Sequence, residues 1–185
     1  MPVLAKETCR FPETLFESAD LPAEGVQWMV VYTKPRQEKS LARDLLRKTI
    51  PFYLPLVKKT LQYGRRRVVS FAPLFDGYMF MLGSESQRTI SMATNRVLRI
   101  LPVNDGQQLT SDLRQIERLI EANVPLTVES RLHAGMHVRV RSGLMAGVEG
   151  VVLRRRGETR LLVSVNFLQQ GASVEIEDYR LEPLD

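Results

Sequence analysis

Residues 27–48 read QWMVVYTKPRQEKSLARDLLRK, and two periodicities meet inside them. Trp28 to Thr33 is a short, almost wholly apolar run rich in valine and aromatic residues, which predicts a strand covered on both faces. Pro35 suits the first turn of a helix, where its missing N–H would be unpaired anyway. Leu41, Ala42, Leu45 and Leu46 then form an apolar stripe at helical spacing, with Arg43, Asp44, Arg47 and Lys48 outside it. A strand running into a helix with one apolar and one basic face argues for helices packed on a sheet.

Downstream, IPFYLPLVKKTLQYGRRRVVSFAPLFDGYMFML reads as two or three strands joined by turns. Its tip YGRRR, Tyr63 to Arg67, predicts a hairpin in which Gly64 permits positive φ and Arg65, Arg66 and Arg67 project. Asp76-Gly77 is a second turn pair, leading into the strand Tyr78 to Leu82. SESQRTISMATN predicts a short helix and RVLRILPV, Arg96 to Val103, another strand. TSDLRQIERLIEANVP offers Thr110 or Ser111 as helix cap, Leu113, Ile116 and Ile120 on one face, and Asn123 and Pro125 as stops. The order is that of an α+β domain whose helices flank a mainly antiparallel sheet.

After VPLTVESR the pattern is all strand-like. Val138 and Val140 alternate with Arg139 and Arg141; Leu161, Val163, Val165 and Phe167 alternate with Arg160, Leu162, Ser164 and Asn166. Four or five short strands in so few residues predict a small closed β-barrel. Gly143, Gly147 and Gly150 match no phosphate-loop spacing and read as barrel corners, and Arg154, Arg155 and Arg156 as a solvated hairpin tip. Upstream, residues 1–26 hold three prolines, acidic side chains and no sustained period, and are expected as a flexible extension. The expected domains are therefore 1–26 extension, 27–123 α+β domain, 124–131 linker and 132–185 barrel.

A chain of 185 residues with 44% apolar and 25% charged side chains has the composition of a soluble globular protein of one or two domains. No long apolar run or basic leader marks a membrane or secretory route, so a cytoplasmic protein is expected. Cys9, His133 and His137 are too few for a structural zinc site, no metal or other cofactor is implied, and no catalytic constellation is present. The net charge of +5 is unevenly spread: residues 1–26 sum to −3, residues 27–74 to +9, residues 75–130 to −2 and residues 131–185 to +1. A field that local draws polyanions to the first domain. Tyr32, Phe75 and Tyr78, if they share an outer face, would form an apolar patch suited to a helical partner; otherwise they are core.

QWMVVYTKPRQEKSLARDLL and PLFDGYMF, followed by GMHVRVRSGLMAGVEGVV, resemble the NusG family of transcription elongation factors over residues 27–185. The last stretch is similar to the KOW motif, through Gly135, Val138, Val140, Gly143, Gly147 and Gly150, and the resemblance implies that the C-terminal barrel is the family's five-stranded, SH3-like one. The resemblance implies an N-terminal domain that sets an aromatic hollow on the clamp helices of RNA polymerase and holds the clamp closed, suppressing pausing. It implies polymerase contacts at Tyr32, Phe75, Tyr78 and Phe80, with Arg88 and Thr89 toward the opposite lobe. Lys34, Arg36, Arg65, Arg66 and Arg67 would face upstream DNA or the non-template strand. Phe167, Leu168, Gln169 and Gln170 occupy the loop through which the barrel of family members meets ribosomal protein S10 or the termination factor Rho; the family commonly reads phenylalanine-glycine-arginine there. Asp76 puts a charge at the rim of the hollow. The compact YTKPRQEKSLARDLL and GRRRVV segments look like those of the specialised, RfaH-like antiterminators, which act on chosen operons. A monomer with no enzymatic activity is expected, and the alternative is a ribosome-associated or RNA-binding KOW module.

Overall fold

A computed structural model describes residues 7–20, 22–130, 135–155, 157–177 and 180–184. The chain divides into two compact units, Met1–Gln107 and Gln108–Asp185.

The first unit is built on a five-stranded antiparallel sheet in the order β1-β3-β6-β2-β7, from β1 (Arg10–Phe11), β3 (Phe52–Tyr53), β6 (Tyr78–Gly83), β2 (Gln27–Thr33) and β7 (Val97–Pro102). The apolar run at Trp28 is the central strand β2, and from Trp28 to Val31 every residue is buried, because both faces are covered as the continuous apolar run predicts. On one face Met29, Val31, Phe52, Met79, Met81 and Ile100 pack with Leu41, Ala42 and Leu45 of α2 (Glu38–Arg47), the helix the stripe foretold. Helix α3 (Glu85–Met92) joins them there, its buried Ser91 hydroxyl lying 3.1 Å from the Met81 sulfur. It begins with a capping box in which Ser84 and Gln87 bond each other's backbone N–H. The other face carries Trp28, Val30, Tyr53, Phe80 and Leu82, all buried.

Residues 7–20, expected as part of a loose extension, wrap around the edge of this sheet. Arg10 pairs with Tyr53 and Phe11 with Phe52, so β1 extends the sheet beyond β3. Helix α1 (Leu15–Asp20) then buries Leu15, Phe16 and Ala19; the Phe16 ring stands 5.2 Å from Tyr53, edge to face, and 6.5 Å from Trp28. Residues 1–6 of the expected extension lie outside the described residues. Strands β4 (Leu56–Tyr63) and β5 (Arg66–Pro73) form a separate hairpin, as the YGRRR tip predicts. Its two-residue loop has positive φ at Gly64 (60°), the first central residue, the pattern of a type II′ turn.

In the second unit six strands form one antiparallel sheet: β13 (Leu181–Pro183), β9 (His137–Val140), β10 (Glu149–Arg155), β11 (Glu158–Val165), β12 (Gln170–Glu175) and β8 (Thr127–Glu129), in that order. The expected five-stranded closed barrel is not what the ladders make. Residues 127–129, placed in a linker by the sequence reading, pair as β8 with Gly171, Ala172 and Ser173, and no ladder joins β8 to β13 among the described residues. Polar bonds hold β8 there: Ser173 Oγ donates to Glu129 Oε1 at 2.7 Å in a buried bond, and Arg160 donates to Ser173 Oγ and, at the surface, to Thr127 Oγ1. Gly150 lies inside β10, at no corner: a Cβ there would come 2.3 Å from the Leu162 carbonyl oxygen. Helix α4 (Gly106–Glu121) starts earlier than the Thr110 or Ser111 cap expected, because Leu109 extends its apolar stripe backward. Its Asp112, Gln115 and Arg118 side chains bond the backbone at Asn166 N, Glu149 N and Gly147 O.

Candidate functional site

Tyr32 is the exception in β2. It stands opposite Tyr78 of β6, the ring centroids 5.0 Å apart, and at 40% exposure it is the most open aromatic residue of the first unit's sheet. The next row of the same face, Val30 with Phe80, is completely buried, so the covered face opens at the Tyr32–Tyr78 pair. Of the four aromatic residues expected to line a hollow, the structure brings Tyr32 and Tyr78 together at the surface and places Phe75 and Phe80 in the core.

The turn under Tyr32 explains why DGY is spelled as it is. The Tyr78 N–H donates to the Phe75 carbonyl, closing a turn with Asp76 and Gly77 at its centre. Gly77 has φ +80° with Asp76 on the ordinary side, the type II pattern that asks for glycine at that position. The Gly77 carbonyl accepts from Thr33 N at 2.8 Å, and its N–H donates to the buried Glu38 carboxylate, also at 2.8 Å. Glu38 belongs to the first turn of α2, so the helix end holds the turn directly. The Tyr32 ring lies so close over Gly77 that a Cβ would sit 3.0 Å from Cε2. Asp76 is exposed beside it.

A groove of about 560 Å³ runs from Tyr32 along Pro35, Arg36 and Lys39 of the loop and helix to Phe71, Ala72 and Pro73 at the base of β5. Arg36, exposed and at φ 61°, is thus brought beside the hairpin base. Arg65 and Arg67 are exposed near the tip, about 20 Å further along the strand at ~3.3 Å per residue; nothing is described of the Arg66 side chain. Lys34 donates to Asn95 Oδ1 at 2.8 Å, which ties it to the fold. Arg43 pairs with Glu7, Arg88 with Glu85, and Arg96 with Asp44 and Gln37. Burial alone would push the Asp44 carboxyl up, but hydrogen bonds and charge from Arg96 and Arg47 outweigh it and hold the group below its ordinary value.

Arg88 and Thr89 lie on α3, across the sheet from Tyr32, and both bond back to Glu85 within their own helix. In the second unit the strand alternation stops at Val165. Asn166–Leu168 turns into a short 3-10 helix, which leaves Phe167 39% exposed instead of inward and Gln169 in the left-handed region at φ 52°. Leu168 and Gln170 are half-buried. Arg139, Arg141, Arg160 and Arg180 all stand within 4 Å of carboxylates, so the basic residues of this unit are largely neutralised. Arg154 is exposed, and Arg156 lies outside the described residues.

Sequence reasoning missed Glu38, whose position in a first helical turn reads as a dipole partner and gives no sign of its bond to Gly77. It also missed Arg99, which stands opposite Tyr32 on the other side of β2; a bulge between Tyr32 and Thr33 hides that register from any simple alternation.

Among the described residues no helix is long and apolar enough to cross a membrane, and no group of three or more histidine, cysteine or acidic residues could hold a metal ion. A comparison with curated proteins finds no match. The family model described as transcription termination factor nusG matches residues 26–120, just over half of the chain, from β2 through nearly all of α4. That family is one of transcription factors that interact with RNA polymerase and not of enzymes. The chain belongs to the NusG family.

Proposed function

We propose that this chain is a transcription elongation and antitermination factor that docks its Tyr32–Tyr78 surface on the clamp helices of RNA polymerase and suppresses pausing or termination. The observation that carries the reading is the aromatic pair left open at the end of the doubly covered central strands β2 and β6, inside the region matched by the family model. A preformed, rigid aromatic surface of this kind loses little conformational entropy on binding. Phe75 and Phe80 are buried in the core of the same unit. Binding favours the active, closed-clamp state over paused states by differential affinity alone, and no covalent step is involved. Arg36, Arg65, Arg66 and Arg67, with Lys34, face upstream DNA or the non-template strand, while Arg88 and Thr89 meet the opposite lobe of the polymerase.

The second unit is read as a KOW module. Its exposed Phe167, with Leu168, Gln169 and Gln170, is the surface for a further partner, ribosomal protein S10 or Rho. The compact helix and the arginine-rich hairpin favour a specialised factor acting on chosen operons. The test is retention of core RNA polymerase by the immobilised protein, coupled to transcription through a paused template. Wild type is expected to retain polymerase and shorten the pause, and Tyr32→Ala with Tyr78→Ala to lose both effects. Unchanged retention by the double variant would remove the proposed surface. The exposed hairpin cations Arg65 and Arg67 favour the alternative of an RNA-binding or ribosome-associated module, which predicts salt-sensitive RNA affinity and no retention of polymerase.

A further inference from the structure

We infer that Arg99 is the polar anchor of the Tyr32–Tyr78 surface, and that the partner segment seated there carries a carboxylate beside the apolar side chain that meets the two rings. The inference rests on the docking surface proposed above. Residues directly opposite each other in an antiparallel ladder point to the same side of the sheet, with Cβ atoms about 5 Å apart. Tyr32 is opposite Tyr78 on β6 and opposite Arg99 on β7, so the three make one row across three strands: two rings, then a cation.

Arg99 is exposed and, among the described residues, makes no side-chain hydrogen bond or ion pair. Its neighbours differ. Arg96, on the same stretch of chain, donates to Asp44 at 2.6 Å and to Gln37 at 2.5 Å, and Arg43 and Arg88 each hold a glutamate. The fold thus employs those arginines and leaves Arg99 with its donors unspent beside an aromatic pair. Tyrosine and arginine side by side are the residue types that dominate protein–protein hot spots. A guanidinium next to apolar rings binds a carboxylate in two parallel hydrogen bonds, and the rings exclude the water that would otherwise weaken them.

The identity of the anion follows from the turn beside the row. Asp76 is exposed there and lines the groove with Tyr32, Gly77, Arg36 and Lys39, so both signs of charge stand beside the aromatic pair. A nucleic-acid backbone, negative along its whole length, matches the cations but not Asp76, and it offers the two rings no apolar side chain. A protein helix with an acidic residue toward Arg99 and a neutral or basic one toward Asp76 meets both.

The experiment measures affinity of the full chain for core RNA polymerase at low and moderate salt, and for a duplex DNA fragment, using Arg99→Glu, Arg99→Lys and Tyr32→Ala. Lys48→Glu on α2 makes the same change of net charge as Arg99→Glu and serves as control. Arg99→Glu is expected to lose tenfold or more in polymerase affinity, Arg99→Lys to keep part of it, and Lys48→Glu to bind as wild type, with melting temperatures unchanged. If Arg99→Glu binds polymerase normally while Tyr32→Ala does not, the anchor is overturned and the docking surface stands. If both bind normally, the surface itself falls. If Arg99→Glu loses DNA affinity but keeps polymerase, the cation serves nucleic acid and the inference fails.

Discussion

Gly77 joins three parts of the first unit through its own backbone. Its N–H is on Glu38, its carbonyl on Thr33, and the Tyr32 ring rests against its Cα at φ +80°. Gly77→Ala is expected to cost about 1–2 kcal/mol for the left-handed backbone and to tilt Tyr32 away from Tyr78. Polymerase retention should therefore fall even at temperatures where circular dichroism reports a folded protein; full retention would mean that the ring position is immaterial. Asp44 offers a second test. Its folded-state value is lowered by Arg96 and Arg47, so its contribution is present above the unfolded value of about 4 and disappears as pH falls through the lower folded value. Asp44→Asn should lower stability by about 1 kcal/mol near neutrality, with the gap to wild type closing in urea titrations as pH falls below the ordinary carboxylate range. At this scale the turn at Asp76-Gly77 was legible, because only glycine suits it, while the bond to Glu38 was not, because it joins residues far apart in sequence. Tyr32 and Phe80 read alike as aromatics in apolar strands; only the extent of the covering elements separates the open ring from the buried one.

Among the elements, the β4–β5 hairpin was the most legible, since Gly64 followed by arginines between two β-branched runs leaves little alternative. Arg65→Ala with Arg67→Ala should weaken DNA binding without altering polymerase retention. If both contact phosphate, the slope of log affinity against log salt should fall in magnitude by about 2; an unchanged slope would take the hairpin tip off the nucleic acid. Strand β8 was hidden because three residues are too few to show a period, and the bonds from Arg160 and Ser173 that seat it come from elsewhere in the chain. Leu161–Val165 is a strand as read, but Leu162, set on the alternate face, is as buried as Leu161 and Val163, and the alternation was carried two residues too far, into the turn that exposes Phe167. Gly150→Ala tests the crowding in β10. With a Cβ forced to 2.3 Å from a backbone oxygen, the strand must shift, and amide exchange in β10 and β11 should rise sharply while β2 and β6 stay protected.

Across the whole molecule the chain was expected to divide at residues 124–131, whereas the two compact units meet at Gln107 and Gln108 and nearly all of α4 goes with the second; the ordered N-terminal segment was not expected either. Prolines and acidic residues made residues 1–26 look unstructured, yet Leu15, Phe16 and Ala19 supply the cover that Trp28 and Tyr53 need. Phe16→Ala is expected to cost about 3 kcal/mol, seen as a lower melting temperature with near-normal secondary structure; a change under about 0.5 kcal/mol would mean the segment is dispensable. The segment also sets an order of events. Residues 10–20 are synthesised before the strands they pack on, but α1 has six residues and no stability of its own, and β1 pairs with Tyr53 and Phe52, which in turn lean on β6. This segment must wait, unpaired, until Tyr78–Gly83 has been made and laid beside β2, so that a part of the domain made early is among the last to fold.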